Sequence, residues 1–121
     1  MKISIIGTGY VGLVQGAVMA DFGAEVICMD VNKERIKDLN EDKIPIFEPG
    51  LKEVILKNKK AKRIEFTTDI KYAVEKSQVI FIAVGTPANE DGSADLEYVL
   101  QVAENIGKYI NEYKVIVDKS T

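Results

Sequence analysis

Histidine is missing from this chain of 121 residues, and cysteine occurs once, as Cys28. The first absence removes the commonest general base and metal ligand, and no metal site is expected. The second excludes an intrachain disulfide, and the place of Cys28 within an apolar run marks a small buried residue rather than a nucleophile. No apolar run approaches a membrane span, and the amino terminus enters a strand directly without a basic-then-apolar leader. No membrane partner and a cytoplasmic location are the corresponding expectations. Positive charge is also in short supply. A formal charge of −3 and a pI near 5.0 give no general attraction to nucleic acid or anionic membranes, so phosphate binding has to come from local backbone geometry. There is no linker, no low-complexity segment and no repeat beyond an alternation of strand and helix. With 46% hydrophobic and 29% charged residues, the composition suits one globular domain, 1–121, with a sizeable core.

What is present concentrates in the first thirty residues. The β-branched run Ile3-Ser4-Ile5-Ile6 stops at Gly7, the pattern G-x-G-x-x-G follows at Gly7, Gly9 and Gly12, and an apolar segment without a helix breaker comes next. Gly7 suits a tight turn out of the strand, Gly9 close approach of a pyrophosphate, and Gly12 close packing of the helix on the sheet. The free N–H groups and positive dipole end of that helix then face the phosphates. A second strand, Glu25 to Met29, ends at Asp30, about 20 residues past the glycines, where a carboxylate accepts hydrogen bonds from an adenosine ribose and repels a 2′-phosphate. The expected cofactor is NAD rather than NADP.

Val11, Val14, Ala17, Val18 and Phe22 recur at helical spacing and predict the inner face of the first helix, widened by Leu13 and Ala20 and closed at Asp21 and Gly23. Asn32 predicts the N-cap of a short helix carrying Ile36 and Leu39 inward. Arg35 in that helix is either a contact on the adenosine side of the cofactor or an ordinary surface arginine. The prolines of Lys43–Gly50 interrupt the alternation, and a helix restarts near Leu51 and ends in the basic tract 57–60, a solvated helix terminus. Thr68 or Asp69 caps a helix through Val74. Gln78 to Val84 is a strand buried on both faces, ending in Gly85-Thr86-Pro87. Thr86 is either a hydroxyl facing the cofactor or a turn residue before proline. Asp95 caps a long helix with Leu96, Val99, Leu100, Ala103, Ile106 and Ile110 inward, and a last strand runs from Lys114 to Asp118. Strands beginning near residues 2, 25, 64, 78 and 114, joined by right-handed crossovers, give an α/β fold. It is a Rossmann-like, doubly wound parallel sheet in three αβα layers with order 3-2-1-4-5. A sixth strand is missing from that pattern, so an uncovered edge, an apolar flank and a longer parent protein are expected.

The runs Gly7-Thr8-Gly9-Tyr10-Val11-Gly12-Leu13-Val14, Pro45-Ile46-Phe47-Glu48-Pro49-Gly50-Leu51, Val84-Gly85-Thr86-Pro87, Ala94-Asp95-Leu96 and Lys119-Ser120-Thr121 carry a resemblance. Together they resemble the N-terminal NAD-binding domain of the UDP-glucose/GDP-mannose dehydrogenase family, over the whole chain. The resemblance implies that Gly7, Gly9, Tyr10, Val11 and Gly12 hold the NAD pyrophosphate and that Asp30 and Arg35 hold the adenosine end. It also implies that Thr86 and Thr121 lie near the nicotinamide, with Thr121 assisting catalysis at most. The family oxidises the C6 alcohol of a nucleotide sugar to a carboxylate with two NAD, through a thioester on a cysteine beyond this segment. Full-length members are homodimers.

By this resemblance the substrate is a nucleotide sugar bound mostly outside residues 1–121, and the likeness is nearest to members acting on UDP-glucose. GDP-mannose and UDP-N-acetylmannosamine dehydrogenases share the same first half. A free-standing NAD-sensing module is the alternative of another class. The 121 residues alone are expected to bind NAD without dehydrogenase activity.

Overall fold

The computed structural model describes residues 1–44, 48–83, 97–110 and 114–118, with 97–99 and 118 described by backbone only. The elements run β1 (Lys2–Ile6), α1 (Tyr10–Asp21), β2 (Glu25–Met29), α2 (Lys33–Asn40), α3 (Leu51–Lys60), β3 (Ile64–Thr67), α4 (Ile70–Lys76), β4 (Val79–Ile82), α5 (Glu97–Tyr109) and β5 (Val115–Asp118). All strand pairs are parallel and the order is β3-β2-β1-β4-β5, as the crossover argument requires. Ile6 pairs with Met29 on one side and Ile82 on the other, so the carboxyl ends of the central strands form a level rim.

The two-residue period of the strands divides the core. Ile3 and Ile5 of β1, Val26 and Cys28 of β2, Phe66 of β3 and Phe81 of β4 face α1, α2 and α3. Ile6, Ile27, Met29, Ile80 and Ile82 face α4 and α5. Ser4, the polar member of β1, is fully buried on that second side. The Ser77 hydroxyl donates to the Ala73 carbonyl, so the Ser4 hydroxyl is the donor in its 2.9 Å contact with Ser77 Oγ.

The inner face of α1 matches the expectation at Leu13, Ala17 and Ala20, with Val14 packed partly against the core, and departs from it at Val11, Val18 and Phe22. Gly12, Leu13, Gly16, Ala17 and Ala20 are buried, while Val11, Val18 and Phe22 are exposed, Phe22 at 88%. The helix is apolar nearly all round, so periodicity does not select a phase; close approach of the backbone to the sheet does. A Cβ on Gly16 would stand 2.9 Å from Cys28 Sγ, 3.6 Å from Val26 and 3.7 Å from Ile5. Gly16→Ala is therefore expected to lower stability by about 1–3 kcal/mol of overpacking, less the ~1 kcal/mol that alanine gains over glycine in a helix. In a denaturant-unfolding double-mutant cycle, Cys28→Ala is expected to recover most of that loss by removing the sulfur; additive losses would show that the strain lies elsewhere.

The same correction applies to α5. Val102 and Ile106 are its buried residues, whereas Leu100, Ala103 and Ile110 are exposed. Leu96 lies outside the described residues, and the side chain of Val99 is not described. Apolar residues occupy two faces of this helix, and the seam against α4 and the sheet takes Ile106, as expected, together with Val102 in place of its neighbour Ala103. Leu100 of α5, Ile110 just after it, and Val115 and Ile116 of β5 are exposed apolar residues.

The caps follow the sequence. Asn32 Oδ1 accepts from the Arg35 amide and Asp69 Oδ1 from the Tyr72 amide. In the basic tract, Lys57 pairs with Asp21 at 3.1 Å, and Lys59 Nζ donates to the Leu39 and Asn40 carbonyls. These cations tie α3 to its neighbours rather than standing wholly in solvent. Among the described residues no helix is long and apolar enough to cross a membrane.

Candidate functional site

The rim where β1 and β2 end carries the turn Gly7–Gly9 and the first turn of α1. Gly7 has φ +112°, a conformation that a side chain resists, and its amide bonds the Met29 carbonyl at 2.7 Å. The first bond of the α1 ladder is Leu13 N to Gly9 O at 2.9 Å, so the amides of Tyr10, Val11 and Gly12 precede it and have no carbonyl of the helix to bond. Gly9 caps the helix without a side-chain bond, and the first turn holds no acidic residue. An anion-sized role at the positive end of the dipole is thus left open by the chain itself. The space around Gly9 fits such a group, since a Cβ built there meets nothing within 4 Å.

Gly12 sits where α1 comes close to the ends of the central strands. A Cβ there would lie 2.0 Å from the carbonyl oxygen of Gly7, just past β1, and 3.3 Å from the side chain of Ala83, just past β4.

Asp30 follows β2 directly and its carboxylate is held from several directions. Oδ2 accepts from the Thr8 amide and the Thr8 hydroxyl, both at 2.8 Å, and Oδ1 accepts from the Asn32 amide at 2.9 Å. The Arg35 guanidinium stands 3.7 Å from Oδ2, with its side chain 39% exposed against 12% for Asp30. Arg35 and Asp30 therefore stand together at the end of β2. Thr8 is 1% exposed, and sequence reasoning passed over it. Only the folded register places it: pairing Ile6 with Met29 brings Thr8, two residues past β1, beside Asp30, next after β2.

A second link was also missed. The exposed Tyr10 phenol donates to Glu48 Oε2 at 3.0 Å, tying the start of α1 to the segment before α3. That bond and the Glu48 charge raise the tyrosine's pKa above its ordinary value, so the hydroxyl keeps its proton. Val11, on the next position of the turn, is part-exposed at 42%. Thr86 and Thr121 lie outside the described residues.

On the α4 and α5 side of the rim lies a hollow of about 140 Å³, walled by Met29, Val31, Ile70 and Val102 with the amides Gln101 and Asn105 at its edge. It adjoins Ile6 and Gly7 and is mainly apolar, suited to a flat ring that needs a few polar partners. A smaller hollow, about 70 Å³, sits at the amino ends of the strands among Lys2, Glu25, Lys62, Arg63 and Glu65, away from the glycine turn and mixed in charge.

Cys28 belongs to none of this. It is fully buried in β2, and desolvation first, then the Glu65 charge, pushes its thiol up from 9.0 to about 12. The folded chain thus keeps the proton where the unfolded chain loses it. This contribution to stability is fully present below pH 9 and is lost between pH 9 and about 12. A thiol reagent at pH 8 is expected to label Cys28 only as fast as the protein unfolds; prompt labelling would contradict its burial.

A model of the UDP-glucose/GDP-mannose dehydrogenase family, NAD binding domain, matches residues 1–121. The chain is 50% identical over 120 residues to the UDP-glucose 6-dehydrogenase TuaD of Bacillus subtilis, covering 99% of this chain and 26% of that enzyme. Among solved structures, a ternary complex of GDP-mannose dehydrogenase from Pseudomonas aeruginosa superposes with a TM-score of 0.96 at 42% identity, covering 100% of this chain and 28% of that one. A UDP-glucose dehydrogenase from the archaeon Pyrobaculum islandicum gives 0.93 at 36% identity, covering 99% and 28%. The chain spans about a quarter of the length of these relatives.

Proposed function

Because this chain belongs to the UDP-glucose/GDP-mannose dehydrogenase family, as its NAD binding domain, we propose that it is the cofactor-holding part of a longer enzyme. That enzyme oxidises the C6 alcohol of a nucleotide sugar, UDP-glucose in the first instance. The identity to UDP-glucose 6-dehydrogenases favours that sugar over GDP-mannose or UDP-N-acetylmannosamine, whose dehydrogenases are also structural neighbours. The exposed apolar residues Leu100 and Ile110 at α5 and Val115 and Ile116 in β5 support cover by further chain.

In this reading the amides of Tyr10, Val11 and Gly12 take the pyrophosphate, with Gly7 shaping the turn and Gly9 leaving room for it. Asp30 accepts from the adenosine ribose, Arg35 flanks it, and the hollow beside Met29 and Val31 takes the adenine ring. Thr86 and Thr121 serve the nicotinamide side, a role that rests on the family resemblance alone. Bound NAD supplies a hydride acceptor. The chain's own residues bind and orient it, and Cys28, buried and protonated, has no part as a nucleophile.

The observation that carries the reading is the uncapped, acid-free amino end of α1 standing beside an immobilised Asp30. Calorimetric titration of the chain with NAD and NADP tests it. NAD is expected to bind at least about tenfold more tightly, since one buried charge conflict is worth a factor of that size or more. Equal or tighter binding of NADP would overturn the cofactor assignment. With UDP-glucose and NAD the 121 residues alone are expected to form no NADH, and steady NADH formation would overturn the division of labour between this domain and the remainder.

A further inference from the structure

We propose that Thr8 is the positioning residue for cofactor selectivity, acting through Asp30; this rests on the NAD reading above and names what makes that reading discriminate. A carboxylate offers about four acceptor sites, two on each oxygen. Three are filled by this chain: the Thr8 amide and the Thr8 hydroxyl on Oδ2, and the Asn32 amide on Oδ1. The remaining capacity is on Oδ1, and that oxygen is the one left for a ribose hydroxyl. Thr8 thereby decides which face of the carboxylate meets the cofactor.

The pinning also decides what Asp30 refuses. A free aspartate can rotate away from a 2′-phosphate and leave a neighbouring arginine to bind it. Here Arg35 is at hand, 3.7 Å from Oδ2, and its side chain is partly exposed. With Oδ2 bonded twice to Thr8, the carboxylate cannot turn aside. It stays between the ribose position and Arg35, holding the guanidinium as a partner rather than releasing it to a phosphate. The hydroxyl of Thr8, 1% exposed and spent on Asp30, is thus the lock on a choice that Asp30 makes. The same residue joins the pyrophosphate turn to the ribose contact, since it sits between Gly7 and Gly9.

Thr8→Val keeps the shape and the amide but removes the hydroxyl, and Thr8→Ser keeps the hydroxyl. Calorimetry of both with NAD and NADP, beside the unaltered chain, reads the selectivity. In Thr8→Val, NAD is expected to weaken by about tenfold, the scale of a hydrogen bond to a charged group, with NADP unchanged or tighter. Thr8→Ser is expected to stay within about twofold of the original for both. Equal weakening of both cofactors in Thr8→Val, or no change, would overturn the proposal, because a merely structural threonine moves them together. A second readout does not involve the cofactor. Amide exchange at Asn32, whose N–H bonds Oδ1, is expected to quicken in Thr8→Val and not in Thr8→Ser, and unchanged exchange would also overturn it. If Thr8→Val does not fold, Thr8→Ala removes the same hydroxyl with less bulk and is read by the same criteria. A parent chain that shows no preference for NAD would instead defeat the cofactor reading, while the exchange data still judge the role of Thr8 in holding Asp30.

Discussion

Gly12→Ala is expected to destabilise the domain by about 3 kcal/mol or more, the upper end of the cost of overpacking, and to remove most NAD affinity. The added Cβ would lie 2.0 Å from the Gly7 carbonyl oxygen, where real contacts keep at least 3.0 Å. Something must move by about 1 Å, and the obstructing atom is backbone in a turn already at φ +112°. The shift cannot be taken up by a side chain. It displaces the turn whose amides would face the pyrophosphate, and a misplacement of that size costs about 100-fold in a preorganised site. Gly9→Ala is the control. Gly9 has φ −71°, which any residue adopts, and a Cβ there meets none of the other described residues within 4 Å beyond its chain neighbours. That variant is expected to melt within a degree or two of the parent yet bind NAD at least about tenfold more weakly, because the methyl group takes the cofactor's space. Thermal melts and calorimetry on the pair separate the glycine needed by the fold from the glycine needed by the ligand. Loss of stability in Gly9→Ala, or its absence in Gly12→Ala, would contradict this division.

The second large effect is expected from Asp30→Asn. The change is nearly isosteric, but the amide has one acceptor oxygen where the carboxylate has two. If that oxygen serves Thr8, the NH₂ group faces the Asn32 N–H, donor against donor; if it serves Asn32, the two Thr8 donors lose their partner. Thr8 is buried, so a donor left unpaired there costs about 1–3 kcal/mol of stability. Loss of the charge also frees Arg35 and removes the repulsion of a 2′-phosphate. NAD is expected to bind about 10- to 100-fold more weakly, the scale of a charge-assisted hydrogen bond, while NADP changes little or gains. Titrations with both cofactors and a denaturant melt check it. A variant that keeps its preference for NAD would show that the discrimination lies elsewhere.

Much of this could be read from residue order. The glycine pattern, the β-branched runs and the acid at the end of β2 lead to the strand order and to the candidate site at the rim of β1 and β2. Asn32 and Asp69 cap where short polar side chains precede helical spacing. Legibility failed where two patterns compete. In α1, valines and a phenylalanine at helical intervals outweighed the glycines, although it is the missing side chains of Gly12 and Gly16 that set how near the helix lies to the sheet. In α5 an apolar residue on either face left the choice between Val102 and Ala103 open. Thr8 and the Tyr10–Glu48 link were hidden for another reason: their partners stand 22 and 38 residues away, and only the folded register brings them together. Thr86 and Thr121 keep the standing that the family resemblance lends them.

The placement of β1 at the centre of the sheet has a consequence for how the chain comes into being. Its five residues are made before their partners, which come from both sides: β2 follows within about twenty residues, while Ile82, paired with Ile6, arrives much later. Closing that long loop carries an entropic cost that the nearer pairing does not. During synthesis one edge of β1 lacks its native partner until β4 emerges, a template for intermolecular pairing that the folded sheet no longer presents.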